Sequence, residues 1–154
     1  EGNGTAHNPT GIVNTSGINT LTTAGSSTMT FAEALDVLGK LEEDNVPSGG
    51  AAFIMHPTDY ATIAGTAVDA GSGRFVIENG QVAGRRVVQS TLATAGTVVC
   101  GDFSHLIVAM FGGSNLIVDP YSSATSAITK ITSHNFADVG VRHAVAFCKV
   151  TLTA

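Results

Sequence analysis

The residues with chemical potential in this sequence are two cysteines, Cys100 and Cys148, five histidines, His7, His56, His105, His134 and His143, and one basic pair, Arg85-Arg86. No two histidines stand at the short separations that bring two imidazoles onto one ion, so surface or capping histidines are expected and no metal site is assigned. The cysteines lie outside any CxxC spacing and are too few for a disulfide framework; two buried, reduced thiols are expected. A nucleophile could be built from Cys100 with His105 or His143 as base, or from Ser104 beside His105. Adjacent residues on a strand point to opposite faces, however, and the sequence has no nucleophile elbow. No catalytic residue is assigned and no enzymatic activity is expected.

Nucleotide motifs fail on inspection. Gly2-Asn3-Gly4 would need a third glycine where His7 stands, and Gly39-Lys40 is followed by Leu41 rather than Ser or Thr. No cofactor is expected. Arg85-Arg86 reads either as a solvated strand or as one half of an intersubunit salt bridge. Asn3-Gly4-Thr5 and Asn14-Thr15-Ser16 match the glycosylation triplet, but nothing else in the sequence implies secretion.

The elements that must carry these residues are legible in part. Residues 2–27 are crowded with Gly, Asn, Thr and Ser, and no formally charged residue occurs between Glu1 and Glu33, which suggests flexible loops or a surface covered by another chain. Thr30 and Glu33 have the spacing of a capping box, and Phe31, Ala34, Leu35, Leu38 and Leu41 recur on one face, so a helix runs from Thr30 to Asp44 and stops at Asn45 and Pro47. Ala51 to Met55 is a short apolar run typical of a covered strand. Pro57 suits a first helical position, and the helix it opens ends at Gly65. Asn79-Gly80 between two strand-like runs predicts a hairpin. Beyond it the sequence is strand-rich: Thr97 to Cys100, His105 to Phe111, Asn115 to Val118, Ser126 to Phe136 and Val139 to Leu152, with breaks expected at Gly-Asp, Gly-Gly, Asp-Pro and Asp-Val-Gly. The fold class is α+β, helices early and strands late.

Composition sets the boundary conditions. The 154 residues suffice for one domain, and 12% charged residues is about half the usual share for a soluble protein, so the surface is mostly neutral. A formal net charge of -5 argues against a polybasic nucleic-acid binder. No stretch approaches the twenty or so apolar residues that cross a bilayer, and no membrane partner is expected. The sequence opens on Glu1 rather than Met, and it is read as a fragment whose upstream half lies elsewhere.

Several separated landmarks then fall in one order: Gly2-Asn3-Gly4-Thr5 with Pro9 and Gly11-Ile12; the capped helix; Phe53 to Tyr60; Asp69; Gly73-Arg74-Phe75; Gly84 with Val87-Val88; Gly101-Asp102-Phe103-Ser104; and Ala146-Phe147. In this series the sequence resembles the C-terminal half of the major capsid proteins of tailed bacteriophages and prophages, with the Hong Kong 97-type fold. The resemblance covers essentially the whole chain. It departs at His56, where relatives tend to have Asn, a better N-cap.

The resemblance implies an axial domain plus the β part of a peripheral domain: residues 1–29 a peripheral strand and loop, 30–118 the axial domain, and 119–154 peripheral strands. It implies a structural protein that self-assembles as pentamers and hexamers into an icosahedral shell around packaged DNA. Location in the virion, assembly in the bacterial host cytoplasm, and scaffold, portal or maturation-protease partners follow from it as expectations. Contact with DNA would be weak and nonspecific. An encapsulin-like compartment shell uses the same fold and is the alternative. The spine helix, N-terminal arm and extended loop of the family would lie upstream of Glu1. Relatives that crosslink their subunits use a carboxylate on a late peripheral strand, and the stretch Ser126 to Phe136 has no Asp or Glu. A neutral exterior fits a tile covered by copies of itself.

Overall fold

The computed structural model describes residues 2–5, 8–25, 27–71 and 73–153. In chain order its main elements are β1 (Asn19–Thr22), α1 (Phe31–Glu43), β2 (Ala52–Met55), α2 (Pro57–Ala64), β3 (Ile77–Glu78), β4 (Gln81–Val82), β5 (Arg85–Gln89), β6 (Thr97–Gly101), β7 (Leu106–Asp119), β8 (Lys130–Val141) and β9 (Phe147–Thr151).

Local chemistry accounts for the helices. Thr30 Oγ1 accepts from the Glu33 N–H at 3.3 Å and Glu33 Oε2 accepts from the Thr30 N–H at 2.8 Å, the reciprocal box that satisfies two orphan donors. Glu33 Oε1 also accepts from the Ala24 N–H, so the same carboxylate ties the incoming loop to the helix. At the other end Asn45 takes a left-handed φ of 60°, its N–H donates to Glu42 O, and the Val46 N–H reaches back to Leu41 O at 2.9 Å. This is a Schellman ending with Asn in the left-handed position, and its apolar pair, Leu41 and Val46, is buried. In α2, Pro57 occupies the first turn and His56 Nδ1 accepts from the Thr58 N–H at 3.2 Å, so the histidine serves as the cap. Asp59 is buried, and its Oδ2 accepts from the Gly96 N–H at 2.9 Å, which anchors the loop before β6.

Seven strands form one mixed sheet in the order β1-β9-β6-β2-β5-β4-β3. β1 runs parallel to β9 and β2 parallel to β5, while the remaining neighbours are antiparallel. The hairpin between β3 and β4 turns on Asn79 (φ 53°) and Gly80 (φ 72°), the type I′ geometry that the dipeptide predicts. One sheet face buries Phe53, Met55, Val98, Cys100, Cys148 and Val150, and the buried stripe of α1 (Ala34, Val37, Leu38, Leu41) together with Ile63 of α2 completes the same core. On β6, Gly101 faces Phe147: a Cβ there would lie 2.5 Å from the Phe147 ring and 2.6 Å from Ala146 O, so only glycine admits the buried phenylalanine. Phe103 meets Phe147 edge-on with centroids 5.5 Å apart.

β7 and β8 leave this body as a separate two-stranded antiparallel ribbon. Here the strand expectations need correction. Gly112-Gly113 does not end a strand; β7 runs through it as a bulge between Phe111 and Asn115, with Gly112 at φ 72°. Asp138-Val139-Gly140 is no break either, because each residue keeps its partner on β7. The real break lies at 142–146, where the chain turns back into the body. β8 therefore includes Asp138, and the late strand is not free of carboxylates as the shorter reading had it.

The expected division at 30 and 118 does not follow the hydrogen bonding. β1 and β9, assigned away from residues 30–118, pair with each other, and β9 pairs with β6. β7, assigned within that span, departs with β8. The physical reason is that strand partners are chosen by long-range registry, which an ordered series of local landmarks does not contain.

Candidate functional site

The ribbon is the region whose chemistry is unfinished. Strand alternation, preserved across the two-residue bulge, puts Leu106, Val108, Met110, Leu116 and Val118 of β7 on one face with Ile131, Ala137, Val139 and Val141 of β8. Ser133 and Asn135 are the polar members of that face. The opposite face is mixed: Ile107, Phe111, Ile117 and Phe136 alternate with Asn115, Asp119, Lys130, Thr132, His134 and Asp138. Met110 is 74% exposed and Ile131 67%, although both belong to the apolar face. A two-stranded ribbon with an uncovered hydrophobic side is marginal in water.

The apolar face continues at its base into a cleft of about 400 Å³, lined by Ile12, Ile54, Leu92, Val99, Leu106 and Val139 among others. Ile54 and Val99 are register partners on the sheet face opposite the core, and Leu92 stands 87% exposed at the rim. The ribbon's hydrophobic side and the outer sheet face thus form one continuous surface.

The sequence candidates separate cleanly. Cys100 is buried in the core; burial, and then the neighbouring Cys148, hold its thiol far above the ordinary range, and burial pushes Cys148 up to about 11. Both stay protonated and unreactive. They are register partners on β6 and β9. The Leu152 N–H donates to Gly96 O and the Asp102 N–H to Ala146 O, which by alternation makes Cys100–Cys148 a hydrogen-bonded pair. In such a pair the Cβ atoms are about 5.5 Å apart, against roughly 3.8 Å in a disulfide, so the expectation of two free thiols has a geometric cause.

Ser104 lies in a 3-10 turn, Phe103–His105, and both its N–H (2.9 Å) and its hydroxyl serve the Asp102 carboxylate. The Ser104 N–H above all, with help from its hydroxyl and the nearby His105, holds Asp102 below the usual carboxylate range. Ser104 is thereby committed to a turn rather than to a base. Arg85 is engaged within the chain: its Nη2 donates to Ser48 Oγ at 3.1 Å and its Nη1 to Gly49 O at 3.4 Å, while Ser48 donates to Glu42. Arg86 is exposed on the opposite side of β5. The basic pair is therefore one structural tie and one exposed cation.

His7 lies outside the described residues. His56 caps α2, and His134 stands on the ribbon's mixed face. The structure brings His105 and His143 together, with ring centroids 5.5 Å apart, although they stand 38 positions apart in sequence. Sequence reasoning missed this pair because only the closure of the ribbon joins the two ends. Among the described residues no group of three or more His, Cys, Asp or Glu is placed to hold a metal ion, and no helix is long and apolar enough to cross a membrane.

The model of the phage capsid family matches residues 1–152. The chain belongs to that family. The major capsid protein of Halomonas phage phiHAP-1 is 29% identical over 146 residues, which cover 95% of this chain and 24% of that protein. The capsid of the native GTA particle superposes with a TM-score of 0.69 at 16% identity, over 96% of this chain and 57% of the other. A chain of Mycobacterium phage Che8 gives 0.65 at 15% identity, over 86% and 52%. The α+β capsid fold is thus shared, and the chain spans about half the length of those solved chains and about a quarter of the Halomonas phage protein.

Proposed function

We propose that this chain is the part of a phage or prophage major capsid protein that carries the axial body and the β part of the peripheral domain. The body, residues 19–105 and 144–153, is the axial unit, and the ribbon, 106–141, is the peripheral one. Copies assemble as capsomers into an icosahedral shell around packaged DNA, and the protein resides in the virion. Its role is structural and calls on no catalytic residue.

The observation that carries this reading is the uncovered apolar side of the ribbon, on a chain with so few charges. Shell subunits hide their surface against further protein, and contacts fixed among many copies favour neutral, matched faces over a charged coat. Each weak contact is reinforced because a bound subunit presents the next at high effective concentration. The formal charge of -5 gives packaged DNA no strong electrostatic hold.

Electron microscopy of the full-length protein that contains this chain tests the proposal. Uniform hollow particles or rings of five and six subunits are expected. Dispersed monomers under all assembly conditions would sink it, and protein cargo in place of DNA inside purified particles would redirect it to a compartment shell.

A further inference from the structure

The two strands of the ribbon are anchored at a root where the chain leaves and re-enters the body. His105 immediately precedes β7, and His143 follows β8 by two residues. The last rung of the root is the Arg142 N–H donating to His105 O at 2.9 Å, followed by the Ala146 N–H to His143 O and the Asp102 N–H to Ala146 O. The two imidazole rings lie beside this rung with centroids 5.5 Å apart and planes tilted at 53°. His143 is exposed and His105 half-buried, so solvent reaches the space between them.

The geometry points to a two-histidine site for one borderline transition-metal ion, Zn²⁺ or Cu²⁺, that clamps the root of the ribbon. A zinc ion bonds imidazole nitrogen at about 2.0–2.1 Å, and a tetrahedral angle then places two ring centres about 5 Å apart. The observed centroid separation of 5.5 Å is close to that requirement, and His143 is exposed. Among the described residues no third protein ligand joins the pair, so water completes the shell and the site is exchangeable. Along the chain Asp102 stands three residues before His105 and Arg142 next to His143, so the root carries one charge of each sign. A bound ion would cross-link the turn before β7 to the segment after β8, where the ribbon joins the body. This inference does not rest on the capsid reading.

Zinc chloride titrated into the protein, followed by imidazole NMR resonances and calorimetry, tests it. One zinc per chain is expected, with the His105 and His143 resonances moving together and those of His56 and His134 staying still. His143→Ala, an exposed position whose loss leaves the core intact, should weaken binding by about tenfold or more. His105→Asn should do the same, and His134→Ala should do nothing. Copper should bind more tightly than zinc, magnesium should not bind, and acid should release the ion because a proton competes for each ring nitrogen. The site is refuted if zinc produces no shift up to about 1 mM, if His143→Ala leaves the affinity within twofold, or if magnesium binds as well as zinc.

Discussion

The body and the ribbon are made from similar residues and solve opposite problems. Every buried hydrophobic residue among those described lies outside 106–141, while of fourteen exposed large hydrophobics only Leu35, Phe75 and Leu92 belong to the body and the other eleven fall between Ile107 and Phe136. The body therefore completes its own core, whereas the ribbon keeps its strands by hydrogen bonding and leaves its apolar side open. Hydrophobic composition does not distinguish them. What differs is whether the covering surface is supplied by the same chain.

The sharpest way to break this comparison is paired truncation. Phe53→Ala in the body should cost about 3–5 kcal/mol in denaturant melts, because it empties the centre of a closed core. Met110→Ala, equally apolar but 74% exposed, should change the stability of the isolated chain by less than about 0.5 kcal/mol, yet impair particle formation by the full-length protein. Equal costs would mean that the ribbon is part of the core after all.

Gly101→Ala comes next. Its Cβ would collide with the Phe147 ring and the Ala146 carbonyl, so a loss of about 1–3 kcal/mol or more is expected, whereas Gly113→Ala in the ribbon, where a Cβ meets nothing within 4 Å, should be nearly silent in the same melts.

Thr30→Ala should cost about 1 kcal/mol through loss of the cap. It should also blunt acid sensitivity. Partial burial pushes Glu33 up, but hydrogen bonds from Thr30 and Ala24 outweigh it and leave the carboxyl lowered. A lowered folded pKa contributes stability above the ordinary carboxylate range that is lost as pH falls through the lowered value, so melts between about pH 5 and pH 3 should be flatter in the variant. The smallest expected effect is His56→Asn, which substitutes a better cap on α2 and should raise stability by about 0.5 kcal/mol; a loss would show that the imidazole has a second role.

How much of this was legible in the sequence depended on range. α1, its box and its Asn45 ending, the Pro57 start of α2 and the Asn79-Gly80 hairpin are each fixed by residues within a turn or two of one another, and each appears where the spacing places it. The ordered landmarks carried the family. The ribbon was visible only as strand-rich sequence, and its length was misjudged because a Gly-Gly bulge and an Asp-Val-Gly run look like breaks when no partner strand is in view. Arg85 was unreadable for the same reason, since its acceptors lie on the turn before β2.

By itself, then, the sequence determined the helices, the tight turn and the excess of uncharged apolar surface, because capping, φ preference and hydropathy act over a few bonds. Only the tertiary structure decided that β1 joins β9 across the sheet, that the open apolar surface is concentrated on a two-stranded ribbon, and that His105 meets His143. Those outcomes depend on pairings between distant segments, where the loss of chain entropy on closing long loops must be offset by registry that no local pattern encodes.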